Sequence, residues 1–132
     1  MELVVDTSAI VAVLASEPER RALVRATRGA NLVAPESVHW EVGNALVGLV
    51  KKRRVTLTDV RRALRIYHEI PLRFLEVDLE AAITLATEHG LYAYDAYVLA
   101  CARQQRCGLV ALDAGLLRVA QALAISVVEV DA

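Results

Sequence analysis

Five short apolar stretches separated by helical patterns constrain this chain more than any other feature. Leu3–Val5, Leu32–Ala34, Arg73–Val77, Gly108–Leu112 and Ile125–Val130 read as strands, rich in aliphatic and β-branched side chains. Between successive strands lie segments with the 3.6-residue periodicity of helices. Strands that are apolar on both faces need cover on both sides, which helices crossing a parallel sheet provide. The expected fold class is therefore α/β: a three-layer domain with a five-stranded parallel sheet flanked by helices, spanning residues 1–132 as one unit.

The helix boundaries follow from punctuation. Asp6-Thr-Ser precedes a short helix, Ala9–Ala15. Ser16-Glu-Pro-Glu19 has capping-box spacing and predicts a helix over about 17–28, ended by Gly29. Pro35 opens a long helical pattern to Arg54, and Thr56-Leu-Thr-Asp59 caps the next, to about Glu69. Pro71 introduces the third strand. Asp78 caps a helix ending at Gly90, a Tyr-rich loop leads into a helix over about 94–106, and Asp113–Leu123 forms the last. There is no internal repeat, low-complexity tract or linker.

Composition narrows the partners. With 56% hydrophobic and 23% charged residues, the chain is not disordered. Its longest uncharged stretches, Thr7–Ser16 and Val119–Val128, are too short to cross a bilayer. The N-terminus has no basic region or cleavage pattern of a secretion signal, so the expected location is the cytoplasm, away from membranes. The net charge of −1 splits into a basic first half and an acidic second half. That balance is no general footprint for nucleic acid, so a polyanion would need a local basic surface or bridging metal ions. Lys51-Lys-Arg-Arg54 fits a helix C-terminus, where cations meet the negative dipole end, as well as a phosphate contact. The series Arg20, Arg21, Arg25 and Arg28 invites the same two readings. Cys101 and Cys107 read as structural thiols, and His39, His68 and His89 show no metal-binding spacing.

Carboxylates carry the chemical signal. Asp6 directly follows the first strand and Asp113 the fourth, so both belong to one end of a parallel sheet, where ligands of such sheets bind. Each alone also fits a helix cap. Asp95 heads the inward stripe of Val98, Leu99 and Ala102 on its helix, where a carboxylate must be paired, hydrogen-bonded or metal-bound. Glu41 lies at the margin of an apolar face made by Val38, Val42, Ala45, Leu46 and Leu49, in a polar stripe with Ser37, Asn44 and Gly48. Taken alone it reads as a solvated boundary residue. Four acids gathered together repel unless a cation is present, and hard oxygen donors suit Mg²⁺ or Mn²⁺. The chemistry such a site performs best is attack of metal-activated water on a phosphodiester.

Asp6-Thr-Ser, Glu41-Val-Gly-Asn44-Ala-Leu, Tyr94-Asp95-Ala96 and Leu112-Asp113, in that order on those elements, resemble a PIN domain. More narrowly, length and layout are similar to the VapC-type toxins of toxin–antitoxin pairs, nearly end to end. The resemblance implies a metal-dependent endoribonuclease leaving 5′-phosphate and 3′-hydroxyl ends. It makes Asp6, Glu41, Asp95 and Asp113 both catalytic and metal-binding, with Ser8 and Asn44 as auxiliary polar positions. It further implies a cytoplasmic homodimer, an RNA substrate and a VapB-like antitoxin that covers the acidic pocket. One departure is Ala111, where the family often has Thr two residues before the last Asp; this bears on how firmly one metal position is held.

Other classes fit less well. A phosphoryl-receiver domain needs an acidic pair after the first strand and a late Lys, whereas no Lys follows Lys52. A DxDxT phosphatase needs a second Asp that Asp6-Thr-Ser lacks. The alternative that stays open is a PIN-like module that has lost catalysis and binds only protein. Tyr92, Tyr94 and Tyr97 around Asp95 fit base stacking and packing equally.

Overall fold

The computed structural model describes residues 1–130; the last two residues of the expected 1–132 unit lie outside the described residues. The elements run β1 (Glu2–Val5), α1 (Thr7–Leu14), α2 (Arg20–Ala26), β2 (Asn31–Pro35), α3 (Ser37–Lys51), α4 (Leu57–Glu69), β3 (Leu72–Leu75), α5 (Leu79–His89), α6 (Ala93–Gln105), β4 (Gly108–Val110) and α7 (Ala114–Ala122). All strand pairings are parallel and the sheet order is β3-β2-β1-β4. The chain thus builds outward from β1 to β3, then crosses back to lay β4 on the other side of β1. Helix α1 packs on α2, α3 and α4, while α5 packs on α6, which lies against β1 and β2. The expectation of an α/β fold with a parallel sheet and flanking helices is met.

The expected fifth strand is not formed. The sheet has four strands, and the segment Ile125–Val130 contributes only an isolated parallel bridge, Leu109 to Val127. The amide of Leu109 donates to the Ser126 carbonyl, and the amide of Val128 donates to the Leu109 carbonyl. The cause is the brevity of β4. Only three residues long, it offers one residue, Leu109, for both bonds before the chain turns toward Asp113.

Local boundaries shift for identifiable reasons. Ser16 does not cap α2. It takes a left-handed conformation (φ 53) and closes α1: its amide donates to Val13 and that of Glu17 to Ala12, the paired bonds of a Schellman turn. The helix expected over 17–28 shortens to α2, which starts after Glu19 with no side-chain cap. Pro35 ends β2 instead of opening α3, because ladder bonding to β3 continues through the Glu36 amide to the Leu75 carbonyl. The third strand is Leu72–Leu75 in place of Arg73–Val77, and the fourth stops at Val110, two residues early. The capping box at Thr56 and Asp59 forms in full, and Gly90 closes α5 at φ 63.

Val4, Val33, Leu109 and Val110 from the sheet and Val38, Val42, Leu99 and Cys101 from the helices are fully buried. This packing holds rigid the strand ends from which the candidate site is built. Cys107 follows the αL turn at Arg106 and sits over the last turn of α6 near Cys101, in the position of the apolar contact that accompanies such turns. Burial pushes the Cys101 thiol up to about 12, consistent with a structural role.

Candidate active site

The return of the chain from β3 to β4 creates a switch in strand order between β1 and β4, and the loops leaving their carboxyl ends diverge there. Asp6 leaves β1 and Asp113 leaves the segment after β4. The Asp6 amide donates to the Val110 carbonyl, 3.1 Å away, so the two loops start from a bonded pair.

Asp6 is the one buried charged side chain among the described residues, 6% exposed. It caps α1 by accepting from the Ala9 amide, and the Ser8 hydroxyl lies 2.7 and 2.9 Å from its two oxygens. Ser8 in turn accepts from the Leu112 amide at 3.0 Å. One hydroxyl therefore ties the carboxylate after β1 to the loop that carries Asp113. That loop begins beside the buried Ala111, so a hydroxyl from α1 steadies the region where the family pattern has Thr. Asp113 caps α7 through the Leu116 amide and is otherwise exposed. Gly115 allows this geometry, since a Cβ there would stand 3.2 Å from the Asp113 Oδ1.

Asp95 lies in the first turn of α6, which begins without a side-chain cap, and is half-buried. Glu41 projects from the middle of the first half of α3, also half-buried. The helix-cap reading holds for both Asp6 and Asp113.

Electrostatics connects all four. Burial pushes Asp6 up to about 6, against the pull of the Ser8 hydroxyl and the α1 amides, and Asp113 adds to the rise. Burial, then Asp95 and Asp6, push Glu41 up to about 7. Burial and the neighbouring Asp113 raise Asp95. Each acid thus feels at least one of the others. Among the described residues, no three His, Cys, Asp or Glu side chains stand close enough to hold one ion.

The donor set nonetheless suits a hard divalent cation. Its four groups are carboxylates, with no thiol or imidazole among them; burial, and after it the neighbouring acids, raise Asp6, Glu41 and Asp95, and a bound cation would offset both effects. Thr7 supports the same view. Its Oγ1 is buried and lies beside Glu41, tempering that group's rise, yet falls short of hydrogen-bond geometry and has no partner among the described residues. Thr7 was not singled out from sequence. Its place inside Asp6-Thr-Ser is the only signal, and the orphaned hydroxyl appears only once α1 packs against α3. Asn44 lies one turn beyond Glu41 but is exposed, with no link to the four acids among the described residues. Tyr92 and Tyr94 are exposed, and Tyr94 meets Tyr97 edge-on at 5.8 Å.

A parallel sheet with Asp6 and Asp113 on the loops at its switch point defines the molecule as an α/β domain with acidic side chains where such sheets bind ligands. Residues 3–122 match the PIN domain family, and the chain belongs to it. Within that family it is similar to the Ribonuclease VapC9 of Mycobacterium tuberculosis, 34% identical over 121 residues, covering 91% of this chain and 92% of the relative. Among solved structures it is similar to PAE2754 from Pyrobaculum aerophilum, with a TM-score of 0.72 and 28% identity over 89% of this chain and 78% of that one. The fold is shared with a toxin–antitoxin complex from Klebsiella pneumoniae, with a TM-score of 0.61 and 18% identity over 84% and 86% of the two chains. No helix among the described residues is long and apolar enough to cross a membrane.

Proposed function

We propose that the chain is a metal-dependent endoribonuclease, the toxin half of a VapBC-type toxin–antitoxin pair, with Asp6, Glu41, Asp95 and Asp113 as its metal-binding and catalytic residues. The observation that carries the reading is Asp6, buried at the switch in strand order and tied through the Ser8 hydroxyl to the loop that carries Asp113. The relatives named as VapC ribonucleases support the substrate class, and the toxin–antitoxin complex of like fold supports a VapB-like antitoxin as partner.

Bound Mg²⁺ or Mn²⁺ would supply an activated water and a counter-charge for the phosphodiester oxygens. The protein's part is placement. Asp6 stays fixed by the Ser8 hydroxyl and the Ala9 amide, so at least one carboxylate is oriented before the ion arrives. Asp113 is held by its own helix, while Asp95 and Glu41 are carried by α6 and α3. Glu41, half-buried on α3 and facing the charges of Asp95 and Asp6, would serve as a ligand of the ion. In the cell, the chain would work in the cytoplasm as a homodimer, with Tyr92, Tyr94 and the exposed Trp40 available to bases or to the second copy.

The test is incubation of purified protein with mixed RNA, with Mn²⁺ and then with chelator. Cleavage should require the ion, and Asp6→Asn should lower it by at least about a hundredfold while leaving the fold intact, as measured by circular dichroism. Chelator-resistant cutting, or full activity in Asp6→Asn, would overturn the assignment. A chain that binds antitoxin but never cuts RNA would be the inactive module.

A further inference from the structure

Two strands along the same sheet edge lies a second concavity that the four acids do not use. It is a cleft of about 290 Å³ at the carboxyl ends of β2 and β3, lined by Glu36, Ser37, Leu75, Glu76, Leu79 and Tyr97, among others. Tyr97 belongs to the first half of α6, the helix that also carries Asp95, although the two side chains leave it on different faces. Strands in a sheet are about 4.8 Å apart, which puts this cleft roughly 5–10 Å along the rim from Asp6. That is within reach of a nucleotide whose phosphate sits at the acids. Resting on the ribonuclease reading, we propose that this cleft is a nucleobase subsite that takes a guanine flanking the cut phosphodiester.

The lining argues for a base and against the backbone. Glu36 and Glu76 present two carboxylates and the cleft holds no cationic side chain, so a phosphate would be repelled. Tyr97 offers an aromatic face on which a base can stack, and Leu75 and Leu79 supply apolar wall. Among the four bases, guanine alone presents two adjacent donors, N1–H and the N2 amino group, which match the paired acceptor oxygens of a carboxylate. Beside those donors guanine carries the O6 acceptor. The cleft has donors to meet it: the Ser37 hydroxyl, buried and without a partner among the described residues, and the first-turn amides of α3, which no side chain caps.

A randomised single-stranded RNA pool, cut with Mn²⁺ present and sequenced at the new ends, tests this directly. The wild type should show guanine enriched about tenfold or more at one position beside the cut, the discrimination of one good bidentate contact. The double variant Glu36→Gln/Glu76→Gln should still cut the pool, slowed about twofold to threefold as guanine-bearing sites lose their advantage, with the enrichment reduced below about threefold. Absent enrichment, or enrichment unchanged in the variant, overturns the proposal and leaves the ribonuclease reading standing. Guanosine and adenosine, titrated without metal and followed by amide shifts at Ser37 and Tyr97, separate the two claims. If no RNA is cut yet guanosine alone shifts those amides, the subsite stands and the ribonuclease reading fails. If guanosine and adenosine perturb them equally or not at all, the subsite is refuted whatever the cleavage result.

Discussion

At the scale of single residues, the account turns on one buried and one half-buried acid whose pKa values are raised toward neutrality. Asp6 at about 6 and Glu41 at about 7 hold protons in the folded chain at pH values where the unfolded chain has released them. The sign follows: between about pH 4 and 7 the folded state binds more protons, so stability falls as pH rises through that window. Urea unfolding without divalent ions should therefore give a more stable protein at pH 5 than at pH 8, by on the order of 1–3 kcal/mol. Asp6→Asn should flatten much of that slope; an unchanged slope would remove Asp6 from the account. Ser8→Ala tests the strap between the two loops. It removes the hydroxyl on Asp6 and leaves the Leu112 amide without its acceptor, which should cost about 1–2 kcal/mol in unfolding free energy. Asp6 and Asp113 were legible from their places after strands. Glu41 was not, because a helix-margin glutamate looks the same whether its neighbour is water or another acid; the packing of α3 against α1 decides it.

At the scale of elements, helix ends show what local rules capture and what they miss. The box at Thr56 and Asp59 was readable since all its parts lie within four residues. Ser16 and Glu19 have the same spacing, yet Ser16 serves the helix before it, because closing α1 leaves its backbone left-handed. Arg53, Arg106 and Ala124 likewise take positive φ after α3, α6 and α7, with none of the glycine that would announce such a turn. Ala124 is exposed and touches none of the acids, so Ala124→Gly should relieve the left-handed penalty and stabilise the fold by about 1 kcal/mol in chemical denaturation. Destabilisation would mean the turn is not held as described. The missing fifth strand has a comparable origin. Its own residues have the composition of a strand, but a strand needs a partner, and β4 ends after three residues.

At the scale of the whole molecule, the reversal in strand order sets the loops of Asp6 and Asp113, 107 residues apart in sequence, side by side. Under the proposed function the four acids share one ion, and an ion that binds only the folded state should relieve their repulsion. Binding would then stabilise the protein by mass action, and the four carboxylates should act as one site and not as four independent ones. Melting curves of wild type and Asp6→Asn, each recorded with chelator and with excess Mn²⁺ at neutral pH, measure this most directly. The account expects Mn²⁺ to raise the wild-type melting temperature by several degrees, on the order of 4–8 °C for about 1–2 kcal/mol of linkage, and to raise that of Asp6→Asn by less than about a third as much. Equal shifts in both proteins, or no shift in the wild type, would contradict a shared metal site.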